Sequence, residues 1–122
     1  MKTCLVVDDG AFDRELLKRS AASLGFEVSE ASSGEEALTM CRSSLPDYML
    51  LDWEMEGMNG ISVLQAIRAM TGGAATCIII CTANEHPSFI GHAYIQGANG
   101  YVVKPITREK LRIKLEEITQ LS

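Results

Sequence analysis

At the centre of the chain stand the residues Tyr48-Met49-Leu50-Leu51-Asp52-Trp53-Glu54-Met55. The stretch begins with residues that can be buried, and this run ends in a single acid, Asp52. Such a run is typical of a central strand that is covered on both faces. In an open parallel sheet, ligands bind outside the carboxyl ends of the strands. Asp52 therefore marks the place where chemistry is expected, provided that the sheet is parallel.

The rest of the chain alternates between strand and helix five times. Strands are predicted at residues 3–7, 27–31, 48–52, 76–82 and 101–103. The helical patterns cover residues 11–24, a segment capped at Ser33, a segment from Ile61 to about Met70, one that begins at Pro87, and a last one that carries Leu111, Leu115 and Ile118. Residues 71–75 are interpreted as a flexible connection. This alternation predicts an α/β fold, in which a parallel sheet has helices on both faces, and a single domain over residues 1–122.

Composition excludes several classes of protein. The 122 residues are 47% apolar and carry a net charge of -5, which indicates a real core and argues against general binding of nucleic acid. No apolar run is long enough for a membrane span, and Asp8 and Asp9 end the only run that resembles a signal peptide, so a cytoplasmic protein is predicted. Four cysteines lie in apolar or helical patterns without a CxxC pair, which favours buried free thiols over disulfides or zinc.

Functional side chains follow four of the predicted strands. Asp8 and Asp9 follow the first, Asp52 the third, Thr82 the fourth and Lys104 the fifth. These strand ends meet at one edge of a parallel sheet, where a pair of carboxylates about 4 Å apart repels by roughly 4 kcal/mol at an effective dielectric near 20. Lys104 supplies one compensating charge. A hard divalent cation with oxygen ligands would supply the rest, and Mg²⁺ fits a site with few carboxylates and several waters.

These positions carry a resemblance over the whole chain. The sequence resembles the receiver domain of bacterial two-component response regulators, most closely the single-domain chemotaxis type. Besides the four strand ends, Tyr101 matches the family's aromatic switch position, three residues before Lys104. The resemblance implies a flavodoxin-like (βα)5 sheet with strand order 2-1-3-4-5. It also implies a cis peptide bond between Lys104 and Pro105.

The resemblance implies that Asp52 is the nucleophile that accepts a phosphoryl group from a histidine kinase or a histidine phosphotransfer protein. Asp9 and Asp52 would bind Mg²⁺ together with the backbone carbonyl of Glu54, and Asp8 would act mostly through a water molecule.

Lys104 and the Thr82 hydroxyl would hold phosphoryl oxygens, in a reaction that depends on positioning and charge neutralisation. Thr82 and Tyr101 would then change the surface formed by the fourth helix, the fifth strand and the fifth helix, which a downstream protein target recognises. The chain would be a switch that assists its own phosphorylation and dephosphorylation, rather than an enzyme.

Several positions depart from the family pattern and leave alternatives open. Glu56 stands where a proline is usual, Gly10 follows the acidic pair, and Glu54 and Asn84 occupy the two variable positions that tune phosphoryl lifetime in this family. A receiver that serves as a phosphorylation-independent scaffold is one alternative. A small phosphatase is another, although Glu54 stands where its second aspartate is expected. A third alternative is the receiver part of a longer DNA-binding regulator.

Overall fold

The computed structural model describes residues 2–121, and side chains as far as residue 119. The strands are β1 (Thr3–Val7), β2 (Glu27–Ala31), β3 (Tyr48–Asp52), β4 (Cys77–Thr82) and β5 (Gly100–Val103). The helices are α1 (Ala11–Ser23), α2 (Gly34–Ser43), α3 (Gly60–Ala69), α4 (Pro87–Ile95) and α5 (Arg108–Leu121). Strand and helix therefore alternate five times, and most boundaries lie within one or two residues of those predicted.

The strands form one parallel sheet in the order β2-β1-β3-β4-β5, which confirms the predicted fold class and strand order. In the register of the sheet, Val7 lies beside Leu51, Asp52 beside Cys81, and Thr82 beside Val103. The carboxyl ends of the four strands β1, β3, β4 and β5 consequently share one edge. This register is what brings residues from distant parts of the sequence together.

The core has two layers, one on each face of the sheet. On one face, alternate strand residues such as Leu5, Met49 and Ile78 pack with residues from α2, α3 and α4. On the other face, the intervening residues, such as Leu50 and Ile79, pack with residues from α1 and α5. All residues of β3 from Met49 to Asp52 are buried. Burial on both faces explains why β3 reads as a continuous apolar run rather than an alternating one.

Ser33 begins α2 as predicted, with a variation in the capping box. The Ser33 hydroxyl accepts a hydrogen bond of 3.1 Å from the amide of Glu36. The Glu36 carboxylate reaches back to the amide of Ser32, at 2.8 Å, instead of the amide of Ser33 itself. Two amide groups at the start of the helix are satisfied in this way, which is what the capping box provides.

The connection before β4 is more ordered than predicted. Residues Gly73–Ala75 form a 3₁₀ turn, where the sequence indicated a flexible loop. Arg68 explains the order, because its guanidinium donates to the carbonyls of Gly73, Thr76 and Gly97 and to the Asn99 side chain at 2.6–3.0 Å. One side chain thus ties α3, the start of β4 and the loop after α4 together at the edge opposite the carboxyl ends.

The four cysteines are free thiols, as predicted. Cys4, Cys41 and Cys81 are buried, whereas Cys77 at the start of β4 is only half-buried. Burial raises the pKa of the Cys4 thiol to about 12, with a smaller contribution from Cys77, so this thiol is inert. In the part of the chain that the structure describes, none of the helices combines the length and the apolar character needed to cross a bilayer.

Candidate functional site

Three carboxylates meet at the carboxyl edge of the sheet, as the sequence predicted. Asp8 and Asp9 follow β1, and Asp52 ends the neighbouring strand β3. One oxygen atom from each carboxylate lies within 4.8 Å of the others. Asp8 and Asp52 are 1% and 2% exposed, whereas Asp9 is exposed to solvent. The cluster is therefore a half-open site, with two acids at its floor and one at its rim.

Backbone groups fix the acids in place. The Asp8 carboxylate accepts from the amide of Gly10 at 2.9 Å, and the Asp9 carboxylate accepts from the amide of Glu56 at 3.0 Å. The second bond connects the end of β1 to the loop after β3. Gly60 at the start of α3 approaches the same loop so closely that a Cβ atom there would lie 2.8 Å from the Asp52 carbonyl oxygen. The position of Asp52 depends on this close approach.

Lys104 supplies the positive charge at this edge. Its ammonium nitrogen lies 3.2 Å from a carboxylate oxygen of Asp8, 3.2 Å from one of Asp52, and 3.1 Å from one of Asp13. The peptide bond from Lys104 to Pro105 is cis, which confirms the expectation from the family resemblance. The Lys104 side chain is 19% exposed, so it is not a solvated surface lysine. It holds the carboxyl ends of β1, β3 and β5 together electrostatically.

The pKa values of Asp52 and Lys104 are both raised at this edge of the sheet. Burial and then the carboxylate of Asp8 raise the pKa of Asp52 to about 7, against the opposing effect of Lys104. For Lys104, burial opposes the charged form, but the carboxylates of Asp52 and Asp8 offset it and raise the pKa above its ordinary value. A carboxyl group with a pKa of about 7 beside a charged ammonium group is unusual. Groups with such shifted pKa values concentrate at functional sites.

The donor set of the cluster fits a hard divalent cation. Asp8, Asp9 and Asp52 offer only oxygen ligands, and their charge exceeds what Lys104 alone neutralises. Exposed Asp9 leaves the site open to water on one side, and Mg²⁺ keeps several waters when it binds to proteins. The residues therefore fit Mg²⁺ by ligand type and by charge. The backbone carbonyl of Glu54 stays a prediction as a further ligand.

Thr82 lies at the end of β4, completely buried, beside β5 in the register. Its hydroxyl donates to the carboxylate of Glu54 at 2.6 Å and accepts from the amide of Asn84 at 3.0 Å. Both residues that the sequence placed at variable flanking positions therefore contact Thr82 directly. The hydroxyl is engaged within the protein rather than by solvent.

Two participants were not predicted from the sequence. The side chain of Asp13, in the first turn of α1, reaches Lys104, and the side chain of Glu54 reaches Thr82. The signal for Asp13 was its place one helical turn after Asp9, at the start of a helix that begins at the site. Glu54 was noted only for its backbone carbonyl, and its position two residues after Asp52 was the available signal.

Tyr101 lies in β5, half-buried, beyond the immediate contacts of the three acids. Its ring packs edge-on against Tyr94 of α4 with ring centres 6.3 Å apart, and the Lys114 ammonium of α5 lies 5.0 Å from the ring centre. Ile113 of α5, which lines the same cavity as Tyr101, is 44% exposed, and Ile95 at the end of α4 is 81% exposed. Tyr101 therefore connects α4 and α5 across an exposed apolar surface.

Comparisons with known proteins agree with this geometry. The sequence model of the response regulator receiver domain matches residues 4–116. The chemotaxis protein CheY of Pseudomonas aeruginosa is 39% identical over 115 residues, which cover 93% of this chain and 93% of that protein. The positive alginate biosynthesis regulatory protein of the same organism is 41% identical over 119 residues, and the chain spans 46% of its length. The solved structure of CheY4 from Vibrio cholerae is similar with a TM-score of 0.90 at 29% identity, covering 97% of this chain and 98% of that one.

Proposed function

Because the chain belongs to the response regulator receiver domain family, we propose that it is a phosphorylation-dependent switch which accepts a phosphoryl group on Asp52. Receiver domains act in two-component signalling rather than as classical enzymes. The donor would be the phosphohistidine of a histidine kinase or of a histidine phosphotransfer protein. The Asp52 oxygen attacks phosphorus, a P–O bond forms, and the P–N bond to histidine breaks as the imidazole leaves. The product is an aspartyl phosphate.

The observation that carries the proposal is the contact of Asp52 with Lys104 among two further carboxylates. Phosphoryl transfer spreads negative charge over three oxygens, so a catalyst needs cations already in place. Lys104 lies 3.2 Å from Asp52, where its ammonium group can also meet a phosphoryl oxygen. The raised pKa of Asp52, about 7, means that added positive charge converts more of this carboxyl to the nucleophilic carboxylate.

Receiver domains generally bind Mg²⁺ at an acidic cluster, and we assign Asp8, Asp9, Asp52 and the Glu54 backbone carbonyl to that role here. The chemistry that a bound Mg²⁺ supplies is neutralisation of negative charge on the acids and the phosphoryl oxygens. Lys104 and the Thr82 hydroxyl hold phosphoryl oxygens. The same groups assist loss of the phosphoryl group to water, which resets the switch.

Readout of the phosphoryl group uses Thr82 and Tyr101. Movement of the Thr82 hydroxyl towards a phosphoryl oxygen changes the space beside β4, and Tyr101 on the neighbouring strand responds. A cavity of about 220 Å³, lined by Tyr101, Val103, Ile113 and Lys114 among others, opens on this face. A downstream protein target that prefers the altered α4–β5–α5 surface would shift the population towards it.

Residues 1–122 are proposed to form one receiver domain in the cytoplasm. The family match covers residues 4–116. The four free thiols are usual in a reducing compartment. The net charge of -5 argues against direct contact with nucleic acid. The chain matches only 46% of the length of the alginate regulator, which favours a second candidate for the protein: the receiver part of a longer regulator. The mass of the protein isolated from its own cells distinguishes the two.

Intact mass spectrometry tests phosphorylation directly. Incubation with acetyl phosphate and Mg²⁺ should add the mass of one phosphoryl group, and EDTA should prevent the addition. Asp52→Asn should abolish it. Asp47→Asn is a matched control, because Asp47 lies before β3, where it accepts from Thr3 instead. Full labelling of Asp52→Asn, or no labelling of the wild type, would overturn the proposal.

A further inference from the structure

The Thr82 hydroxyl has a single hydrogen, and that hydrogen is already in use. It points to the carboxylate of Glu54 at an O···O distance of 2.6 Å, which is typical of a charge-assisted hydrogen bond. The lone pairs of the hydroxyl accept the amide of Asn84 at 3.0 Å. Because a hydroxyl donates only one hydrogen bond, Thr82 cannot donate to another anion until Glu54 releases it.

Lys104 is engaged in the same way. An ammonium group donates three hydrogen bonds, and Asp8, Asp13 and Asp52 lie at three such distances, 3.2, 3.1 and 3.2 Å. The three carboxylates differ in the free energy that is needed to break their contact with Lys104. The side chains of Asp8 and Asp52 are 1% and 3% exposed, whereas Asp13 is 47% exposed. Because Asp13 is hydrated by solvent once its contact with Lys104 is broken, it is the carboxylate that an incoming anion displaces at the smallest cost in free energy.

Glu54 and Asp13 therefore occupy one donor each of the two side chains that face the phosphoryl acceptor. We propose that these two acids are positioning residues that hold Thr82 and Lys104 in the unphosphorylated protein and compete with phosphoryl oxygens for them. The inference rests on the proposed function and adds to it a brake, by which we mean the competition of Glu54 and Asp13 against binding of the phosphoryl group. Binding of a phosphoryl group on Asp52 then exchanges two carboxylate contacts for two phosphoryl contacts. The net gain in binding free energy is therefore smaller than the two new contacts alone would give.

The brake also gives the switch a defined resting state. Glu54 is exposed in the loop after β3, and Thr82 is buried at the end of β4. Their bond fixes the hydroxyl in one orientation while the site is empty of phosphoryl. A ligand shifts such an equilibrium only by its preference for one of the two arrangements. Weakening the Glu54 bond should therefore favour the phosphorylated arrangement before any phosphoryl group is present.

Beryllofluoride with Mg²⁺ is the probe of choice, because it imitates the phosphoryl group without turnover. Its dissociation constant can be followed by the fluorescence of Trp53, the residue after Asp52. We expect Glu54→Ala and Asp13→Ala to bind about three- to tenfold more tightly than wild type, since one hydrogen bond less must be broken in each. The double variant should multiply the two factors, because the acids act on different donors.

Glu56→Ala is the matched control. It removes an acid from the same loop, and the Glu56 side chain makes no hydrogen bond or ion pair within residues 2–119. Its affinity should equal that of the wild type. Glu54→Gln removes the charge but keeps an oxygen acceptor for Thr82, so its affinity should lie between wild type and Glu54→Ala. Chemical shifts of the Thr82 methyl group and the Asn84 amide, in the metal-free protein, should change in Glu54→Ala and stay the same in Glu56→Ala.

The outcomes separate the two levels of inference. If the wild type binds no beryllofluoride, the proposed function fails and the brake fails with it. If the wild type binds and the Glu54 and Asp13 variants match Glu56→Ala, the site works as a receiver but the brake does not exist. If Glu54→Gln, Glu54→Ala and Glu56→Ala all gain the same affinity for beryllofluoride, the effect comes from the net charge of the loop. That result would also overturn the proposed brake.

Discussion

Replacing Asp52 by asparagine should stabilise the metal-free protein, although it removes the proposed phosphoryl acceptor. Asp52 is 2% exposed, and its pKa is raised to about 7 by burial and by Asp8. In the unfolded chain an aspartate titrates near about 3.9. Between about pH 4 and about pH 7 the folded protein therefore binds more protons than the unfolded one. By linkage, the free energy of unfolding contributed by Asp52 falls as pH rises through this window.

The size of the effect follows from the same shift. A rise of about three pKa units corresponds to about 4 kcal/mol at a pH above both values. The new amide recovers only part of this, because its NH₂ group must find acceptors beside the Lys104 ammonium, which is itself a donor. We expect Asp52→Asn to raise the free energy of unfolding by about 2 kcal/mol at about pH 8. At about pH 5 the aspartate costs only roughly 1.5 kcal/mol, so the variant should lie within about 0.5 kcal/mol of the wild type.

Urea unfolding followed by circular dichroism, in EDTA at both pH values, measures these differences. Glu56→Gln is the control, because it neutralises an exposed acid in the loop that follows Asp52. Its effect should stay within about 0.5 kcal/mol at either pH. The reasoning is refuted if Asp52→Asn is no more stable than wild type at about pH 8, or if its advantage is the same at about pH 5.

Three further substitutions test the supports of the fold and the site, with the free energy of unfolding as the common measurement. Gly60→Ala should cost about 1–3 kcal/mol, because its Cβ would meet backbone atoms of Asp52 and Trp53 at 2.8 Å, whereas Gly91→Ala, with open space around it, should be neutral or stabilising; equal effects would contradict the close approach. Ser33→Ala should cost about 1 kcal/mol through loss of the cap of α2, and a neutral result would show that the cap contributes nothing. Arg68→Ala should cost about 2–3 kcal/mol, because three backbone carbonyls lose a charged donor, and a cost under about 0.5 kcal/mol would mean that water replaces it fully.

The fold could be predicted from the sequence because its strongest signals are local and repeated. The buried runs that include Leu50 and Ile79 exist because both faces of the sheet are covered, and their spacing leaves room only for helices between parallel strands. The positions of Asp52, Thr82 and Lys104 followed from the same reasoning, since each directly follows or ends a strand. The order of the strands came from the family resemblance, because periodicity does not specify which strands are neighbours.

The features that were not predicted from the sequence depend on side-chain contacts that no local sequence pattern encodes. Asp13 and Glu54 reach Lys104 and Thr82 through side-chain directions that are set by how α1 and the loop after β3 pack. The order of the 3₁₀ turn likewise comes from Arg68, near the end of α3, whose side chain binds the Gly73 carbonyl while it is held by the Gly97 carbonyl 29 residues further along the chain. A glycine-rich segment has no preference of its own, so its conformation is decided by the partner.

The anchoring by Arg68 gives α4 the mechanics of a lever. The loop at the carboxyl end of this helix is held by two bonds from Arg68 to the Gly97 carbonyl, and Asn99 is held by the amide of Ile78 as well. At its other end, Pro87 is exposed, and of the nine residues of α4 only Ala93 is buried. The end held by Arg68 lies at the edge opposite Asp52, and the other end is connected to the site by the edge-on packing of Phe89 against Trp53, with ring centres 5.3 Å apart. A displacement of Trp53 would therefore tilt the exposed helix about its fixed end.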